Sequence, residues 1–122
     1  MRGVSQKNAK IANEEAFLKD PFLSASAERY LQVAIQAVLD ICNHVVADLG
    51  LEAPSEYRQV PDILAREKLL PVRLSKRMAA MIGLRNILVH EYLKLDRRLV
   101  YHVLKKDLGD FEKFINAMSK FL

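Results

Sequence analysis

Between Glu28 and Leu49 the apolar positions Leu31, Ile35, Val38, Cys42, Val45 and Leu49 recur in steps of three and four. That spacing marks one face of an α-helix and predicts a long amphipathic helix over this stretch. Asp20, Ser24 and Ser26 are its candidate N-caps, because a short oxygen-bearing side chain accepts from the free N–H groups of a first turn. Gly50 stands where a helix C-cap is expected, and Ala53, Pro54 and Ser55 continue as loop.

Other elements follow the same logic. Residues 1–19 open with a polar stretch and then place Ala12, Ala16 and Phe17 at helical spacing, a short helix that Asp20 and Pro21 end. A further short helix starts near Pro61, a favourable first position, and runs through Ile63, Leu64 and Leu69 to the break at Pro71. The third main helix is expected from about Arg73 to Leu93. A fourth runs from Asp96 as N-cap through Leu99, Val103, Leu104, Phe111, Phe114, Ile115 and Met118, with Gly109 as a candidate dividing point. No segment alternates with a period of two, and no internal repeat or low-complexity stretch is visible. The expected fold class is all-α, an antiparallel bundle of four to five helices with short connections.

Composition narrows the picture. A chain of 122 residues has room for one core, so residues 1–122 are read as a single domain. With 51% hydrophobic and 28% charged residues it has enough apolar surface to fold and enough charge to solvate itself. One cysteine, Cys42, excludes an internal disulfide and multi-cysteine metal sites, and it suits a reducing compartment, hence a cytoplasmic expectation. No apolar run is expected to reach the roughly 20 residues that span a bilayer, so no membrane partner is expected. A formal charge of +4 permits an anionic partner such as RNA without requiring one. His44, His90 and His102 are scattered, and no inward-facing carboxylate pair sits on adjacent turns, so neither a metal nor a cofactor is expected. Aromatic platforms for stacking bases also look absent, which implies little base specificity.

The informative segment is the third main helix. On a wheel at about 100° per residue, Leu74, Met78, Met81, Leu88 and Tyr92 form a narrow stripe that also contains Arg85. Ala79, Ala80, Ile82, Gly83, Leu84, Ile87 and Val89 leave almost no face suited to water, so the helix is central or meets a second subunit. Gly83 lowers helix stability by about 1 kcal/mol relative to alanine, which suggests a close approach to the backbone there. Against this background Arg85, Asn86 and His90 stand out, since burying them unpaired would cost several kcal/mol. Asn86 and His90 share a face, whereas Arg85 lies about 140° round from His90 on an ideal helix. A bend, a long substrate or a symmetry mate would bring them together, and a two-fold dimer does so while covering the excess apolar surface. Taken alone, Arg85 reads better as a structural arginine paired with a carboxylate such as Asp40, and His90 as an ordinary helix histidine. Asn43 and His44 are better read as solvent-facing than as part of a site. The basic residues Arg73, Lys76, Arg77, Lys94, Arg97, Arg98, Lys105 and Lys106 read first as a solvated surface, and second as a guide for an RNA backbone.

Residues 85–92 spell R-N-x-x-x-H-x-Y late in this apolar helix, and here the chain resembles the HEPN superfamily, specifically its HepT-like toxin branch. The stretches from Glu28 to Val46 and from Met81 to Asp96 are similar to the same branch, while the N-terminal helix is shorter than its members usually have. The resemblance implies a helical bundle of the HEPN type and a homodimer acting as a metal-independent endoribonuclease. In that reading Arg85 and His90 of both copies face a cleft between them, His90 moves protons, Arg85 stabilises the phosphorane and Asn86 assists. The resemblance further implies a toxin–antitoxin pair in which a minimal nucleotidyltransferase antitoxin transfers AMP to Tyr92. The alternative is a non-catalytic subunit that binds a nucleotide or that same partner.

Overall fold

The computed structural model describes residues 13–90 and 96–121, with the side chains of Asn86, Val89 and His90 outside the description. Six α-helices run through these residues: α1 (Glu14–Lys19), α2 (Pro21–Asp48), α3 (Val60–Arg66), α4 (Val72–His90), α5 (Arg97–Lys106) and α6 (Leu108–Met118). Short 3-10 turns precede α3 at Tyr57–Gln59 and follow α6 at Ser119–Phe121. No strand occurs among the described residues, and the all-helical expectation holds.

The long helix begins earlier than its apolar spacing suggests. Asp20 caps it, its Oδ1 accepting from the Leu23 N–H at 3.0 Å, and Pro21 occupies the first turn, where its missing N–H does no harm. The same residue closes α1, its backbone N–H donating to the Phe17 carbonyl. At the far end Gly50 adopts φ +66° while its N–H reaches Ala47 and the Leu51 N–H reaches Val46, the paired bonds of a Schellman turn. An identical arrangement ends α3. Lys68 there takes φ +61°, with Lys68 N–H on Ala65 and Leu69 N–H on Leu64. The break expected at Gly109 falls instead at Asp107, which is the C-cap of α5 and the N-cap of α6, so the glycine lies inside the new helix.

Helix α2 is the centre of the bundle. It packs against every other helix, and its stripe of Leu31, Ile35, Val38, Leu39, Cys42, Val45 and Val46 is buried. Its length and a mean hydropathy of 1.3 would let it cross a membrane, which amends the expectation that no run approaches that span. Only one of its faces is buried, however, and the remaining surface carries Arg29, Gln32, Gln36, Asp40 and Asn43 together with the exposed Tyr30 and Val33. Helix α4 buries Leu74, Met78, Met81, Ile82, Leu84 and Leu88, while Ala80 reaches solvent. In the C-terminal pair Phe111, Phe114 and Met118 are buried, whereas Leu99 and Ile115, expected in the core, are exposed. Asp110 is buried and bonded to Arg77 Nη1 at 3.2 and 3.3 Å, tying α6 to α4. Two of the basic residues flanking the motif helix are thereby engaged, since Arg98 also pairs with Glu14 at 3.4 Å.

Candidate active site

Arg85 projects from α4 and is half-buried. Its Nε donates to Gln36 Oε1 on α2 at 3.0 Å, and the amide nitrogen of Gln36 donates to Asp40 Oδ1 at 2.9 Å. The direct Arg85–Asp40 pair weighed from the sequence is therefore replaced by a relay through a neutral amide, and Arg85 has no ion pair among the described residues. A guanidinium fixed at one nitrogen by an amide keeps its full charge and most of its donors for an incoming anion.

Arg85 lines two depressions. The larger, about 860 Å³, is walled by Asn43, Pro54, Tyr57, Arg58 and Ile82 among others. The other, about 380 Å³, runs along α2 between Arg29, Gln32, Val33, Gln36, Ala37 and Asp40. Asn43, set aside in the sequence reading, thus shares a cleft with Arg85, while His44 is exposed elsewhere on α2. Arg58 carries the close approach that Gly83 foretold: a Cβ at that glycine would sit 3.3 Å from Arg58 Nε. The tyrosine beside it, 58% exposed, supplies an aromatic face at this cleft, contrary to the expectation that such platforms are absent.

A family model for HepT-like ribonucleases matches residues 4–118. The chain belongs to the HepT-like ribonuclease family. HepT-like relatives include the mRNA nuclease HepT of Shewanella oneidensis, 37% identical over 103 residues that make up 84% of this chain and 77% of that protein. The tRNA nuclease HepT of Aphanizomenon flos-aquae is 30% identical over 95 residues, 78% of this chain and 65% of that one. Among solved structures, the tri-AMPylated Shewanella oneidensis HEPN toxin in complex with MNT antitoxin has a TM-score of 0.81 at 35% identity, covering 89% of this chain and 82% of that toxin.

In this HepT-like chain α4 carries Arg85, Asn86 and His90 on one uninterrupted helix, as the motif requires. Five residues of α-helix separate Arg85 from His90 by about 7.5 Å along the axis and about 140° around it, so the helix alone does not merge them. Tyr92 lies outside the described residues, as does Leu93, where the helix was expected to end. Besides Tyr57 and Asn43, two more residues of the candidate site, Gln36 and Arg58, escaped sequence reasoning. Gln36 lies four before Asp40 on the polar face of α2, a spacing that pairs side chains but names no third partner. Arg58 sits in what reads as plain loop, and only the anomalous Gly83 pointed toward it. Cys42 is buried, and desolvation pushes its thiol up to about 12, which removes it as a nucleophile at neutral pH.

Proposed function

We propose that this chain is a metal-independent endoribonuclease, the toxin of a toxin–antitoxin pair, working as a homodimer. The observation that carries the reading is Arg85, a half-buried arginine held by a glutamine and lining open clefts, with no carboxylate paired to it among the described residues. The relatives named as mRNA and tRNA nucleases support the same activity.

RNA brings its own nucleophile. His90 takes the proton from a 2′-hydroxyl, the oxygen attacks phosphorus, and the proton is returned to the departing 5′-oxygen, leaving a 2′,3′-cyclic phosphate. Imidazole suits this because it titrates near neutrality, and positioned acid–base catalysis contributes about 10²–10⁴-fold. Arg85 forks onto the phosphorane oxygens as charge accumulates, and Asn86 holds the imidazole or a phosphate oxygen. A second copy supplies the same groups across a two-fold cleft. The exposed Tyr30 and Val33 on α2, 54% and 52% accessible, lie on the helix whose groove Arg85 lines and suit that contact. Regulation follows from a minimal nucleotidyltransferase partner that joins AMP from ATP to the Tyr92 oxygen with loss of pyrophosphate. The added phosphate competes with RNA for Arg85. The AMP-bearing relative bound to its antitoxin supports this part of the reading.

Incubation with RNA in excess EDTA provides the test. The expected result is 2′,3′-cyclic phosphate ends in the wild type and none with His90→Ala. Cleavage by His90→Ala at the wild-type rate removes its catalytic role, and intact RNA in the wild type favours a non-catalytic subunit. After incubation with the partner and ATP, mass spectrometry should place AMP on Tyr92, and an adduct elsewhere refutes that assignment.

A further inference from the structure

We infer that the larger cleft is a nucleotide subsite for single-stranded RNA, in which a base stacks on Tyr57 and the adjoining phosphate is held between Arg58 and Arg85. The inference rests on the nuclease reading and extends it to residues outside the motif. Three observations converge on it. Tyr57, Arg58, Asn43 and Arg85 line one depression of about 860 Å³, a size suited to a nucleotide unit. The turn that carries Tyr57 and Arg58 is built rather than loose: Gln59 Oε1 accepts from Ser55 N–H, Ser55 Oγ and Glu56 N–H at 3.2, 3.0 and 3.4 Å. Finally, Gly83 leaves room for the Arg58 side chain against α4, Arg58 Nε lying 3.3 Å from where a Cβ would stand, so a glycine unfavourable to the helix has a positional reason.

Chemistry selects the ligand. Two guanidinium groups on one cleft attract a phosphodiester, an aromatic face accepts any base, and the Asn43 amide adds one donor and one acceptor for a base edge. Such a site binds a flexible single strand with modest sequence preference.

The probe is a fluorescein-labelled single-stranded 2′-O-methyl oligoribonucleotide, which lacks the nucleophile and reports binding without cleavage. Anisotropy titrations should show Tyr57→Ala weakening binding about fivefold or more, with Tyr57→Phe close to wild type. Arg58→Ala should weaken it by a similar factor and flatten the salt dependence by about 0.7 in log–log slope, the loss of one phosphate contact. Against unmodified RNA both alanine variants should raise KM with little change in kcat. Both side chains are exposed, so the helical circular dichroism of these variants should match wild type. Binding and salt slope unchanged in both variants would overturn the subsite, whether or not the wild type cuts RNA. Tight binding that depends on Tyr57 and Arg58 in a protein that leaves unmodified RNA intact would support the subsite while removing the nuclease. Variants that keep RNA but lose the nucleotidyltransferase partner would assign the surface to that protein and overturn the inference.

Discussion

Arg85 depends on its neighbours for orientation. With Nε on Gln36 Oε1 at 3.0 Å, the guanidinium has its plane set from one side, and its terminal nitrogens have no partner among the described residues. Gln36→Ala is therefore expected to lower kcat about tenfold without altering helix content, whereas Arg85→Ala should cost about 10²–10³-fold, the usual loss when a charge-stabilising donor is deleted. Arg85→Lys should not restore it, because an ammonium cannot both hold Gln36 and fork onto two oxygens. Single-turnover cleavage rates for the three variants check this order. Cys42 makes a contrasting case. Its folded thiol titrates at about 12 against an ordinary 9.0, so the stability linked to it is complete below pH 9 and is lost as pH rises toward 12. Denaturant midpoints measured from pH 8 to 11 should fall at the alkaline end, and Cys42→Ser should flatten that fall. The thiol should also resist alkylation in native protein at pH 8 and react on unfolding.

The helix ends show how local chemistry sets an element's length. Asp20 serves two helices at once: its carboxylate caps the start of α2, ahead of a proline that fits a first turn, and its backbone N–H closes α1. Gly50 and Lys68 occupy the same position of the same turn with opposite suitability, since a Cβ crowds the left-handed region and glycine has none. Lys68→Gly is expected to stabilise the protein by up to about 1 kcal/mol, raising Tm by about 3–5 °C in a thermal melt. Element existence and type were legible throughout, because steps of three and four mark a buried face whatever it packs against. Boundaries were less so. The division between α5 and α6 falls at Asp107, where backbone groups make the bonds and the side chain caps neither helix, so residue type gave no signal there, while Gly109 sits in the first turn of α6 with open space around it.

At the scale of the whole molecule the surface beside Arg85 matters most. Val33 and Tyr30 expose apolar area on α2, on a surface that also bears Arg29, Gln32 and Gln36. In the proposed dimer a carboxylate at residue 33 would replace apolar contact with a charge that must be desolvated, and would draw on Arg29 and Arg85, which line the same groove. Val33→Glu is thus expected to shift the protein to monomers in sedimentation analysis and to reduce cleavage by at least tenfold, with its helical spectrum intact. A dimeric, fully active Val33→Glu protein would place the two-fold contact elsewhere.

The amino-acid order by itself determined a helical bundle, a long amphipathic α2, an α4 that is central or meets a second subunit, and the motif Arg85, Asn86, His90 and Tyr92, because periodicity and short-range spacing are written along one chain. It also marked Gly83 as a point of close approach. What faces Arg85, and what fills the space over Gly83, only the tertiary structure decided. Gln36 precedes Arg85 by 49 residues and Arg58 lies in a loop before α3, so each meets its partner only after α2, α3 and α4 have packed. Contacts between elements depend on which faces their apolar stripes turn toward one another, and that is a property of the assembled core.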